Sequence, residues 1–107
     1  HVHRIAQKTD GYQMNQALLL SEEAEMDSKP QLEIYADDVK CSHGATVGEI
    51  DHGQLFYLRS RGVPEAQARS LLIQAFLQEA VEGVTDEAAR AALGAAVTGW
   101  WEREALA

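Results

Sequence analysis

The chain has 107 residues, with 9 basic and 17 acidic side chains and a net charge of −8 when the histidines are neutral. That length supports one modest domain or a piece of a larger one, and 46% hydrophobic with 24% charged residues is a globular balance that argues against disorder. The acidic surplus argues against non-specific nucleic-acid binding, and apolar runs of only three or four residues, such as Ala17 to Leu20, exclude a membrane-spanning helix.

Residues 1–52 carry 4 basic and 10 acidic side chains, residues 53–107 carry 5 and 7, and the expected secondary structure changes at the same boundary. The first half predicts short strands separated by turns. Val2 to Ala6 alternates with period two, Asp10-Gly11 is a turn pair, and Asn15 to Leu20 reads as a strand buried on both faces. Ser21 to Lys29 is polar and acidic. Pro30 then opens Gln31 to Ala36, where Leu32, Ile34 and Ala36 share a face. Asp37-Asp38 turns into Val39-Lys40-Cys41, and Ser42-His43-Gly44 turns into Ala45 to Ile50. No helical pattern separates these strands, so βαβ crossovers are not expected. Short strands at tight corners suit either a sandwich edge or a parallel β-solenoid.

The second half predicts helices. Asp51-x-x-Gln54 has the form of a capping box leading into Leu55 to Leu58, with Gly62 as a left-handed stop after Arg61. Pro64-Glu65 starts a second helix that runs to about Glu82 and ends at Gly83. Thr85 or Asp86 caps a third, from Glu87 to about Leu93, weakened beyond that by Gly94 and Gly99. Trp100-Trp101 falls in a terminal helix or a frayed tail, and the pair reads as a hydrophobic plug. On the second helix Ala68, Leu71, Leu72, Ala75, Phe76 and Ala80 form one apolar face, and Ile73, Leu77 and Val84 carry it round to another side. Gln67, Ser70, Gln74 and Gln78 are left as a polar stripe. Such a helix packs on more than one neighbour, inside its own domain or against another protein.

Cys41-Ser42-His43-Gly44 has the most evident chemical reach. A thiol and an imidazole two residues apart on a strand face the same side, a relation that a turn would remove. Three readings stay open: a buried cysteine beside a turn histidine, a shared metal or cluster site, and a nucleophile with its base. Two ligands do not complete a metal site, and one cysteine cannot alone hold an iron–sulfur cluster. A single cysteine also rules out an internal disulfide and suits a reducing cytoplasm. Asp37-Asp38 is a solvated turn before it is a cation site, and Arg59 and Arg61 complement a helix end.

The stretch Lys29 to Gly48, followed by Leu55-Phe-Tyr-Leu-Arg-Ser-Arg-Gly62, resembles the C-terminal part of the SufD branch of the SufB/SufD family, from about Gln7 through Glu79. The SufB branch usually reads Glu-His-Glu-Ala-Thr where this chain has Cys41-Ser42-His43-Gly44-Ala45-Thr46. The resemblance implies an α+β fold, with the last coils of a right-handed parallel β-helix over residues 1–50 and a small C-terminal α-helical domain over 51–107. It implies a non-catalytic scaffold in the SufBCD iron–sulfur assembly complex, whose β-helix pairs with SufB and whose helical domain docks the SufC ATPase. His43 is then implicated, with a cysteine of SufB, in building a transient cluster at the subunit interface, as a metal ligand shared with the partner, and Cys41 falls at the same interface. No cofactor is expected on the fragment alone, and an open solenoid end is expected to favour a homodimer. The surplus apolar surface at Leu72 and Phe76, with Leu55, Phe56 and Tyr57 nearby, is the expected ATPase-docking region. The competing readings are a thiol enzyme using Cys41 and His43, and a purely structural interaction module.

Overall fold

Two ten-residue strands, β1 (Asp10–Leu19) and β2 (Lys40–Glu49), pair in parallel in the computed structural model, which describes residues 1–106. Asp10 lies opposite Lys40 and Leu19 opposite Glu49, a constant displacement of 30 residues along the chain. The stacking extends beyond the strands. Val2 N–H donates to the Glu33 carbonyl at 2.7 Å, Tyr35 N–H donates to Val2 at 2.9 Å, and Val2 bridges Ile34 in parallel. At the next corner Lys8 N–H donates to Asp38, Lys40 N–H donates to Thr9 at 2.9 Å, and Gln7 Oε1 accepts from Asp38 N–H at 3.0 Å. Lys8 takes the left-handed conformation there, with φ of 66°. Residues 20–39 lead from β1 back to the start of β2 without a helix.

Several expected boundaries move. The strands foreseen at Val2–Ala6 and Gln31–Ala36 contract to the single bridge between Val2 and Ile34. A turn at Arg4-Ile5, closed by Ala6 N–H donating to His3 at 2.9 Å, leaves Ile5 exposed. Asp10-Gly11 and Ser42-His43-Gly44 are strand, not turn. Their glycines mark close cross-strand approach. A Cβ on Gly44 would sit 3.1 Å from Met14 Cε, and one on Gly11 would sit 3.8 Å from Cys41 Sγ.

The chain divides into two units, His1–Glu49 and the part beginning at Ile50. In the second, α1 (His52–Ser60) starts where Asp51 Oδ1 accepts from Gln54 N–H at 3.0 Å. It ends in a Schellman motif: Gly62 N–H donates to Arg59 at 3.0 Å and Val63 N–H to Leu58 at 3.2 Å, with Gly62 at φ 89°. Next, α2 (Glu65–Glu82) begins after Pro64, whose carbonyl accepts from Ala68 N–H at 2.9 Å. Of the two caps foreseen for the last helix, Asp86 serves: its Oδ2 accepts from Ala89 N–H at 2.8 Å.

That last helix, α3 (Glu87–Leu106), passes through Gly94 and Gly99 instead of stopping near Leu93. Alanines at 88, 89, 91, 92, 95 and 96 offset the glycine penalty. A Cβ at Gly94 would meet Val81 Cγ1 of α2 at 3.7 Å, an ordinary contact distance. On α2 the buried side chains are Ala68, Ile73 and Val81, with Leu72, Phe76 and Leu77 half-buried, while Leu71, Ala75 and Ala80 are exposed. The covered arc is thus rotated from the Ala68–Leu71–Ala75 face, because α2 packs on both α1 and α3. No described helix is long and apolar enough to cross a membrane.

Candidate functional site

Cys41 and His43 are carried on β2, opposite Gly11 and Gln13 of β1. The Gly11–Cys41 proximity puts those two residues on one sheet face, and the period of two adds Gln13 and His43 to it. Tyr12, Met14, Ser42 and Gly44 occupy the other face, where the Tyr12 hydroxyl donates to Met14 Sδ at 4.0 Å. The strand therefore creates the thiol–imidazole relation that a turn would have removed. Cys41 is half-buried and His43 exposed.

Residues two apart on a strand lie about 6.6–6.8 Å apart along it. A thiol and an imidazole at that spacing offer two donors on one face and leave the remaining positions of a metal or cluster to others. Among the described residues no three His, Cys, Asp or Glu side chains gather closely enough to hold a metal ion. Asp37 and Asp38 lie in a bend, where the Asp38 N–H donates to Gln7 Oε1 and the Asp38 carbonyl accepts from Lys8 N–H.

The helical unit presents a second candidate surface. Asp51, Gly53, Gln54, Tyr57 and Leu58 line a groove of about 510 Å³ with Leu72 of α2. Tyr57 is exposed and carries the Arg61 guanidinium 3.7 Å above its ring, and Arg59 Nη1 lies 3.6 Å from Glu65 Oε2. Of the five side chains expected at a docking region, Tyr57 and Leu72 share this groove. Phe56 is 74% exposed on α1, while Leu55 and Phe76 are half-buried outside the lining. Sequence reasoning missed the contribution of Gly53, although a residue without a side chain in the first turn of α1 is the signal for it. Trp101, expected with Trp100 as a hydrophobic plug, is half-buried against α2 and also makes a polar contact. The indole Nε1 donates to Ser70 Oγ at 3.0 Å, and Gln74 Nε2 donates to the same oxygen at 3.0 Å. The polar stripe of α2 is therefore partly an inter-helix contact.

Residues 1–76 match the family described as SUF system FeS cluster assembly, SufBD core domain. The chain belongs to the SufB/SufD family. Within it the chain is of SufD type: it is 58% identical over 87 residues to the iron–sulfur cluster assembly protein SufD of Escherichia coli, covering 81% of this chain and 21% of that protein. An iron–sulfur cluster assembly SufBD family protein of Synechocystis is 47% identical over 83 residues, covering 78% and 18% respectively. The SufD of Bacillus subtilis is 45% identical over 76 residues, covering 71% and 17%. The chain therefore spans about a fifth of the length of these relatives.

Proposed function

We propose that this SufD-type chain is a non-catalytic scaffold for iron–sulfur cluster assembly, and that it supplies half of a site completed by a second subunit. The supporting observation is the pairing on one strand face of a half-buried thiol with an exposed imidazole, where no third ligand stands among the described residues. A cluster needs about four ligands, and in this proposal a partner provides the rest. On this reading the cluster is cargo, His43 is the shared ligand or proton carrier, and Cys41 lies beside it.

The β unit is read as the last coils of a right-handed parallel β-helix that pairs with SufB in the cytoplasm. The constant 30-residue register and the stacked corners support it, since each solenoid coil repeats the path of the one below. The helical unit docks the SufC ATPase through the α1–α2 groove, with Tyr57 and Leu72 in its wall and Phe56 beside it.

The test is iron and sulfide content after anaerobic reconstitution of the complete assembly. With His43→Ala the cluster yield falls while the circular dichroism of the chain is unchanged. An undiminished yield removes the role of His43. Leu72→Asp reduces ATPase capture, and capture unaffected by it moves the docking surface elsewhere.

A further inference from the structure

The chain has two methionines, and they are almost equally exposed, Met14 at 44% and Met26 at 41%. Their surroundings differ. Met26 lies in the link between β1 and β2, and its sulfur makes no hydrogen bond among the described residues. Met14 stands on the exposed face of the strand pair with Tyr12 and Ser42, while the opposite face holds the half-buried Gly11, Asn15, Ala17 and Cys41. The Tyr12 hydroxyl donates to Met14 Sδ at 4.0 Å. Both atoms lie over Gly44, each 3.5 Å from the position a Cβ would take there.

We infer that Met14 is an oxidation site whose conversion to the sulfoxide is favoured by the Tyr12 hydroxyl, with a hydroperoxide as the oxidant. A sulfur lone pair attacks the peroxide oxygen, and the S–O bond forms as the O–O bond breaks. The leaving hydroxide takes the proton of the transferred oxygen and becomes water. Sulfur loses two electrons and the peroxide gains them. A thioether is a weak acceptor, whereas the oxygens carry growing negative charge as the peroxide bond breaks. The bond from the hydroxyl therefore strengthens along the reaction and lowers its barrier. Gly44 and Tyr12 also flank the sulfur unequally, so one epimer of the chiral oxide is preferred. Cys41 and His43 lie on the other face and take no part.

Hydrogen peroxide applied to the 107-residue chain at low conversion, with each sulfoxide read by peptide mass spectrometry, tests the assignment. Met14 is oxidised about threefold faster than Met26, the factor a single modest hydrogen bond supplies. Epimer-specific reductases find unequal epimers at Met14 and near-equal ones at Met26. Tyr12→Phe keeps the ring, removes the hydroxyl and brings the Met14 rate down to that of Met26, with circular dichroism unchanged. A Met14 rate no higher than that of Met26 in the unaltered chain, equal epimers at Met14, or a Met14 rate that survives Tyr12→Phe overturns it.

Discussion

The two units hold themselves together by different means. In residues 1–49 Ala36 is the one buried hydrophobic residue, while Tyr12, Met14, Ile34, Tyr35 and Val47 are exposed. Order there comes from backbone hydrogen bonds between two parallel strands and around the Val2–Ile34 bridge. In the helical unit Ile50, Ala68, Ile73 and Val81 are buried, and every helix has an identifiable beginning. The contrast teaches that the β unit is ordered by its parallel strand ladder and not by an apolar core of its own. The helical unit carries most of its own core.

The difference is broken or sharpened by substitutions of graded effect, read from thermal or urea unfolding followed by circular dichroism. The largest is expected from Ile73→Ala, which empties a buried position on α2 and costs about 2–4 kcal/mol. The matching truncation in the β unit, Leu32→Ala, removes a half-buried side chain and costs about 1 kcal/mol. An equal loss at both sites would erase the distinction. Next comes Gly62→Ala, expected to cost about 1–2 kcal/mol because φ of 89° crowds a Cβ. Asp51→Ala follows at about 1 kcal/mol, from the lost bond to Gln54 N–H. Val47→Ala, at a 44% exposed position of β2, is expected to change stability by less than about 0.5 kcal/mol.

The helical half was the more legible because its signals are local. Asp51, Gly62, Pro64 and Asp86 each act within a turn of chain, and each stands where its chemistry requires. Gly94 and Gly99 do not end α3, because the flanking alanines outweigh their local cost. Local composition also misread the β unit. Gly11 and Gly44 have the composition of turns, and only the pairing of β1 with β2 shows that a side chain at Gly44 would crowd Met14. The Cys41–His43 spacing was visible, but whether those two side chains share a face depended on a strand that local composition concealed. The hydrogen bond from Trp101 to Ser70 joins residues 31 apart, beyond any periodicity argument.

The register between β1 and β2 has a consequence for how this region can diverge. The link at residues 20–39 runs without helix or strand apart from the Ile34 bridge, and its first turn is closed locally by Ser21 and Ala24. Lengthening such a link adds only a slowly growing entropic cost, about 0.6 kcal/mol per doubling. Insertions between Ser21 and Ser28 can therefore accumulate without shifting Cys41 from its place beside Gly11. A single residue gained or lost inside β2 would turn the imidazole to the opposite side of the sheet.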